Sequence, residues 1–516
     1  MNKNAIFLGL VTIGALILAL FLGMFVAEGD YSKLGLLAFI SGVLTVCTIL
    51  RANIWVLIPL CGAFTGGIGF FPGNIKVSEL AILVAFGMFF VLSSMKAIPK
   101  LPRWNGYDKL LFLNLAYLAT VYARNPAGML VFQSDIIGGR PYFEIVIALL
   151  AYWVFQRVTL TPKQAVLIPV LSCVGAIGNS FLGAITAFSP GLAYRISPLY
   201  TGVTLPSSGD SLAIASEGDE RQGYLAGYGT TVGSGMVAFF DPLRLFFFLN
   251  PLLSIIYVSA VVAILLSGFR SMFASLVALT ALSVYFRTGM AGVARVGVVV
   301  IAALVIVITC QSAGFELPLP AQRALSFLPG SWDPRALSDA KASSEWRFEM
   351  WKQALTTDRY IHNKLLGDGF GFRIQDIQGF MSMGGIEATT PEQVQDYFLV
   401  TGTYHSGPVS TIRFVGAVGL FLFNAWMIVL ARYAWQLIRR ARNSPFFIYA
   451  LYIGSPVIAL PPFYWFVAGG YDGNLITTIL ALAGLNMIAR SLQSYEIRIK
   501  AEQRPGILAE TVVSGR

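Results

Sequence analysis

Apolar runs of about 17–25 residues recur from one end of this chain to the other, and each is long enough to cross a bilayer as a helix. In hydrocarbon a backbone N–H or C=O finds no water. A spanning segment therefore satisfies its own hydrogen bonds as a helix, or closes with others into a barrel. Barrel strands alternate apolar and polar residues, and these runs do not. Charged residues make up 12% of the 516, about half the share found in soluble domains. The chain reads as an all-α polytopic membrane protein.

The runs fall at about 5–27, 34–50, 53–71, 77–95, 109–123, 141–157 and 164–187, then 225–241, 247–268, 272–286 and 296–312, and finally 408–432, 446–467 and 473–491. Those at 109–123 and 225–241 are the least apolar, so the expectation is about 12–14 spans. Lys and Arg concentrate in Lys96–Lys109, Arg287–Arg295, Arg439–Arg442 and the tail after Arg490. The positive-inside rule places these in the cytoplasm together with both termini. Counting spans then puts 188–224, the turn Gly268–Ser271, the stretch 313–407 and the turn Gly469–Gly473 outside. The expected organisation is 1–187 N-terminal helices, 188–224 an outer loop, 225–312 further helices, 313–407 one large periplasmic loop, 408–492 C-terminal helices and 493–516 a cytoplasmic tail.

The formal charge of +10 is accounted for by those inner loops, so nucleic acid is an unnecessary partner. Cys47, Cys61, Cys173 and Cys310 all lie inside apolar runs, with neither disulfide nor metal-ligand spacing. The first apolar run has no convincing small-residue cleavage site and reads as a retained helix. The chain has two histidines and no D-x-D pair in the first outer loop, so neither a metal nor another cofactor is expected.

Both histidines, His362 and His405, lie in the long outer stretch. Such a stretch is too long to be structureless. Ser343 or Ser344 can cap a short helix on which Arg347, Trp351 and Leu355 share a face. His405 and Ser406 stand just before an apolar run, followed after nine residues by Gly416 and two further on by Gly419. A histidine there serves as base or donor near neutral pH, or simply caps the helix. Ser406 can fix its ring, and the glycines admit a neighbouring helix. Arg413 lies two turns into the same run, where a buried arginine is costly and usually functional, unless it snorkels. Asp472, in the turn GGYDGN, either orients His405 or the acceptor or is a plain turn aspartate. Arg140, Arg221 and the acidic cluster Glu217–Glu220 either line a substrate path or are solvated loop charges. The segment Gly367-Asp368-Gly369-Phe370-Gly371 lacks the strand-turn-helix context of a nucleotide loop.

The segment from His405 to Gly419 resembles the signature of the O-antigen ligase and O-antigen polymerase superfamily. In the ligases a His is followed by Asn, Ser or Gln, then nine residues, Gly, two residues, and Gly, Thr or Tyr. Arg347 and Trp351 resemble the family's R-x-x-x-W block and lead to Gly367, Gly369 and Gly371. Upstream, LLSGFRSMFASL resembles its Ser-Arg turn, with Phe269 where the family has Ser and Arg270 at the outer surface. The likeness covers about 247–420.

The resemblance implies a metal-independent, inverting glycosyltransferase of the polytopic C type in the bacterial cytoplasmic (inner) membrane, its site facing the periplasm or cell exterior. The donor would be a glycan on polyprenyl diphosphate, and the acceptor a glycan, lipid or protein hydroxyl. In the family, the positions matching Arg270 and Arg347 hold the diphosphate and the one matching His405 assists as general base. Arg413, Asp472, Trp351, Arg140 and Arg221 are the expected substrate ligands beside them. Guanidinium groups suit that task because they pair bidentately with phosphate oxygens.

Two alternatives accompany the ligase reading. One is a polymerase that joins lipid-linked repeat units at the same kind of site. The other is a flippase for lipid-linked sugars, which would concentrate polar groups at mid-membrane, whereas here they gather in one outer loop.

Overall fold

A computed structural model describes residues 31–69, 71, 73–203, 222–377, 381–382, 385–386, 391–467 and 469–503, together with 9 and 12. Helix α1 (Tyr31–Leu50) runs through a 3-10 segment (Arg51–Val56) into α2 (Leu57–Cys61). Then come α3 (Val77–Ser94), α4 (Gly106–Arg124), α5 (Arg140–Phe155), α6 (Pro162–Phe188) and the short α7 (Pro190–Ile196). The middle of the chain forms α8 (Gly223–Phe239), α9 (Pro242–Phe246), α10 (Pro251–Leu266), α11 (Arg270–Thr288) and α12 (Met290–Ser312). The long polar stretch carries α13 (Leu319–Leu325), α14 (Pro334–Thr356), α15 (Ile374–Ile377) and α16 (Pro391–Thr401). The last three helices are α17 (Gly407–Ala441), α18 (Phe447–Phe466) and α19 (Tyr471–Gln503). Two small antiparallel pairs complete it: β1 (Ile136–Ile137) with β2 (Phe372–Arg373), and β3 (Met381–Ser382) with β4 (Gly385–Ile386).

Eight helices among the described residues are long and apolar enough to cross a membrane: Ile40–Cys61, α3, Pro162–Ile185, α11, α12, α17, α18 and Tyr471–Glu502. The chain is thus an all-α, multi-pass membrane protein. Helix α12 presents Val298, Ile301, Val305 and Ile306 outward, the surface of a helix solvated by lipid rather than water. The weaker runs at 109–123, 141–157 and 225–241 are also helical, as α4, α5 and α8. The run at 5–27 lies almost wholly outside the described residues.

Two expectations are corrected. The runs 34–50 and 53–71 do not make two spans, because helix ends at Cys61 and only Ile40–Cys61 qualifies. Beyond it Gly66, Gly67 and Gly69 pass so close to Gly202, Asn74 and Pro198 that any side chain would collide. The backbone there pairs with Ile75, Leu199 and Thr201 instead of continuing as helix. The helix carrying Arg347 is also much longer than expected. It starts at Asp333, whose carboxylate accepts the Arg335 N–H at 2.8 Å, so Ser343 and Ser344 lie inside it rather than capping it.

The main core joins the two ends of the chain. Leu111 and Leu118 of α4, Ala148 and Val154 of α5, Phe423 and Trp426 of α17, and Leu475 and Leu482 of α19 are buried together. A smaller core holds α8 to α11 together through Val232, Met236, Tyr257, Ile264 and Leu276. At one end of the bundle, basic side chains cap helix C-termini. Arg490 donates to the Phe155 and Val158 carbonyls at the end of α5, and Arg442 to the Arg287 carbonyl in the last turn of α11. Cations suit those orphan carbonyls. The opposite end carries the segments before α3, α5, α11, α17 and α19, and there the candidate site lies.

Candidate functional site

His405 stands immediately before α17 with φ +50°, a left-handed conformation uncommon outside glycine. Two aromatic side chains pack on its ring: Phe398 of α16, centroids 5.0 Å apart, and Trp346 of α14 at 6.1 Å. The preceding residue is anchored more firmly. Tyr404 is fully buried, its hydroxyl donates to the Leu399 carbonyl at 3.1 Å, and its own carbonyl accepts the Trp351 indole N–H at 2.7 Å. Burial holds the Tyr404 phenol well above its usual pKa. Met350, Ala354, Ile361, Leu399 and Val409 surround this anchor as a separate small core. Trp351, expected among the substrate contacts, thus spends its one donor on the backbone beside His405. Ser406 is the N-cap residue of α17, but its side chain makes no cap hydrogen bond.

The glycine motifs lock into one another. Gly416 interrupts α17 with φ +70° and ψ −178°, and the segment 364–369 lies in the opening. Ala417 N–H donates to Lys364 O, Asp368 N–H to Arg413 O and Gly369 N–H to Phe414 O, at 2.8, 2.9 and 2.9 Å. A Cβ on Gly367 would sit 2.5 Å from Gly416 N, and one on Gly416 would sit 2.6 Å from Gly367 N. Gly416 therefore admits a loop, not the neighbouring helix the spacing suggested. Gly419 does admit a helix: its open face meets Tyr117 of α4, whose hydroxyl donates to the Leu366 and Val415 carbonyls. Arg413 closes the joint from within. It pairs with Asp368 at 3.3 Å and donates to the Gly371 carbonyl at 3.2 Å. Asp368 also accepts the backbone N–H groups of His362 and Asn363. The cost of a buried arginine is partly offset by this ion pair, so Arg413 here serves the loop.

Arg270 and Arg323 both act electrostatically on Arg347. Burial, then Arg270, then Arg323 push the Arg347 guanidinium below its usual pKa. Arg270 opens α11, Arg347 lies on α14, and Arg323 comes from α13, which packs against α10, α11 and α14. Gly268, two residues before Arg270, takes φ +72° with its open face toward Pro320 of α13. The Nε of Arg347 is buried with no hydrogen-bond partner. Arg323, only 5% exposed, escaped the sequence reading because PLPAQRAL carries no motif.

Beside His405 opens a cavity of about 850 Å3. Its wall includes His405, Ser410 and Phe414 from the start of α17, Tyr397 of α16, Phe370 and Phe372 of the glycine segment, and Asp472 at the start of α19. The other wall comes from the N-terminal half: Gly73 and Asn74 before α3, and Met129 to Pro141 before and into α5. Strand pairing of Ile136 with Arg373 and Ile137 with Phe372 ties these halves together. Gly138, at φ +127°, leaves room for the Phe370 carbonyl. The Gly-Gly-Arg-Pro sequence at the start of α5 was the one local hint of this contribution.

Arg140 lines the cavity, but its guanidinium is held by Glu79 at 2.5 Å and Glu144 at 3.1 Å, with Lys76 also on Glu144 at 2.6 Å. Of the expected site residues, His405, Asp472 and Arg140 share the cavity wall, whereas Arg270 and Arg347 gather outside it. Trp351 and Arg413 support the frame. Arg221 and Glu217–Glu220 lie outside the described residues. The arrangement places His405 in a cavity wall and Arg347 on the helix whose Trp346 packs on the His405 ring. No family model matches the chain, nor does any curated protein.

Proposed function

We propose that the chain is a metal-independent, inverting membrane glycosyltransferase of the O-antigen ligase type. It would move a glycan from polyprenyl diphosphate to an acceptor hydroxyl at the outer face of the bacterial cytoplasmic membrane. The observation that carries this reading is the double use of α14. Arg347 is half-buried within the electrostatic reach of Arg270 and Arg323, and the adjacent Trp346 packs on His405.

Guanidinium groups pair bidentately with phosphate oxygens, so Arg270 and Arg347 are the residues this reading assigns to a polyanion. A diphosphate fits, because negative charge grows on it as its bond to the sugar breaks. In the reaction His405 accepts the proton of the acceptor hydroxyl while its oxygen attacks the anomeric carbon. The bond from that carbon to the diphosphate oxygen breaks, and its electron pair leaves with the diphosphate. One displacement inverts the anomeric centre. The charge distribution supports an architecture of about 12–14 spans with the 313–407 region outside. The basic caps at Arg442 and Arg490 would then lie on the cytoplasmic side.

The test is His405→Ala in the native host at matched membrane levels, with surface glycan and carrier-linked glycan quantified together. Long chains building up on the carrier while the acceptor stays bare support the ligase. Accumulating single repeat units make it a polymerase instead. Unchanged pools refute a transferase role for His405.

A further inference from the structure

We infer that the segment 364–367 re-enters the membrane, where Leu365 and Leu366 rest among lipid acyl chains and anchor the polar region around His405 to the bilayer. The inference goes beyond the transferase reading and does not depend on it, since it uses only the multi-pass fold.

Depth comes first. The segment docks on α17 where Gly416 breaks the helix, and Ala417 and Val418 donate their N–H groups to the Lys364 and Leu365 carbonyls. Ala417 lies 15 residues before Arg432 (432 − 417), with no charged residue between them. A helix needs about 20 residues to cross the hydrocarbon, so the docking point falls inside the membrane. Phe421 and Ile428 continue the face that begins at Ala417. Both are exposed, as befits the lipid-facing side of a spanning helix.

Helix α4 closes the other side. Tyr117 and Arg124 donate to the Leu366 carbonyl at 3.2 and 3.0 Å. Arg124 is the last residue of α4, with the exposed Tyr122 close by. A cation and an aromatic ring at a helix end belong at headgroup level. The two leucines therefore sit just beneath the headgroups, at the end of the bundle that carries His405.

Hydrogen bonds then decide what surrounds the segment. Irregular backbone persists at membrane depth only where protein satisfies its polar groups. Each carbonyl from Lys364 to Gly367 has a protein donor: Ala417 N–H, Val418 N–H, Tyr117 with Arg124, and the Asn125 amide. The Leu366 and Gly367 N–H groups donate to Asn363 at 2.9 and 2.8 Å. A loop in water has no need of this provision. Its leucines would also fold inward, whereas Leu365 is 62% and Leu366 36% exposed. Lys364, the one charge, is turned to Asp358 at 2.6 Å. Acyl chains are the surroundings that suit exposed leucines on a backbone with its carbonyls already paired. Since the chain runs on from Gly367 to Phe370 in the cavity wall, this anchor fixes the height of the cavity above the bilayer.

The experiment uses the full-length protein in liposomes of phosphatidylcholine and phosphatidylglycerol, with Cys47, Cys61, Cys173 and Cys310 each replaced by alanine. A nitroxide is attached to Leu365→Cys and, in a separate sample, to Leu366→Cys, so that misfolding of one leaves the other. Phe421→Cys is the lipid control, and Glu345→Cys, on the exposed charged surface of α14, is the water control. Power saturation compares relaxation by oxygen, which concentrates in hydrocarbon, with relaxation by a neutral nickel chelate, which stays in water. Oxygen should be the stronger relaxant at both leucines, as at Phe421, and nickel the stronger at Glu345. Where the two leucines differ, Leu365 decides, being the more exposed. Nickel dominance there overturns the inference, because the segment is then an ordinary water-exposed loop. Protection from both relaxants overturns it as well, since a second copy or another protein then covers the leucines.

Discussion

The Trp351 indole donates its N–H to the carbonyl oxygen of Tyr404 at 2.7 Å, so the helix that carries Arg347 also fixes the backbone one residue before His405. The two motifs are 58 residues apart (405 − 347) in the chain, yet they form one mechanical unit. Trp346 and Trp351 bracket Arg347 on α14, one against the His405 ring and the other against its peptide. His405 needs such support because its left-handed backbone costs energy that the surroundings must offset.

Trp351→Phe keeps an aromatic ring and removes only this hydrogen bond. A neutral hydrogen bond contributes about 1 kcal/mol, so folding should suffer little. Misplacing a catalytic group by about 1 Å can cost about a hundredfold in rate. Turnover should fall tenfold or more, on the order of that limit, with KM for the donor nearly unchanged. A variant that loses donor affinity while keeping kcat would mean that Trp351 contacts substrate instead.

Gly416→Ala and Gly367→Ala should each prevent the glycine segment from seating in α17. Both positions have positive φ and both face backbone that cannot retreat. Strain of about 1–3 kcal/mol for the backbone alone, with the collision added, should lower the thermal midpoint of the detergent-solubilised protein clearly. Gly87, with open space around it on α3, is the control, and Gly87→Ala should be neutral or slightly stabilising. Equal midpoints for all three variants would refute the interlocked joint.

How far the sequence alone reached follows from range. Apolar runs and helix-opening residues are local, so most helices and the placement of His405 before α17 were legible, whereas the break at Gly416 was not, because it depends on the segment 364–369 lying against it. The stretch 66–71 was misread as membrane helix because Gly66 and Gly69 are shaped by Gly202 and Pro198, more than 120 residues away. Arg323 looked ordinary for the same reason: its meaning comes from Arg270 and Arg347, and no spacing within PLPAQRAL announces them. Of the N-terminal wall of the cavity only Arg140 was singled out, because the wall is joined to the rest through the pairing of Ile136 and Ile137 with Arg373 and Phe372.

The buried pair Arg413–Asp368 makes a stability prediction. Both side chains are largely buried, 3.3 Å apart, and removing one partner strands the other's charge away from water. Arg413→Gln should destabilise by about 3 kcal/mol, the usual cost of breaking a buried pair from one side. The double variant Arg413→Gln with Asp368→Asn should recover part of that loss. Denaturation of the four proteins in one detergent measures the coupling. Strict additivity would mean that the two side chains do not interact, and Arg413 would return to the list of substrate ligands.

The arginine cluster gives the most direct reading of the donor site. Lysine keeps the charge but cannot make the paired, planar contact that a guanidinium makes with phosphate oxygens. Arg270→Lys, Arg347→Lys and Arg323→Lys should each reduce transfer, by about ten- to a hundredfold if one charge-assisted hydrogen bond of roughly 1.5–3 kcal/mol is lost. Arg323 is the discriminating case, because nothing in the sequence pattern marked it and only its proximity to Arg347 recommends it. Initial rates with a defined polyprenyl-diphosphate donor would be compared at matched membrane levels and at two salt concentrations. If the guanidinium groups meet a diphosphate, the defect of each variant should deepen as salt rises, since screening weakens the remaining point charge. Full activity in Arg323→Lys with loss in the other two would shrink the donor site to a pair. Full activity in all three would remove the diphosphate from this end of the molecule.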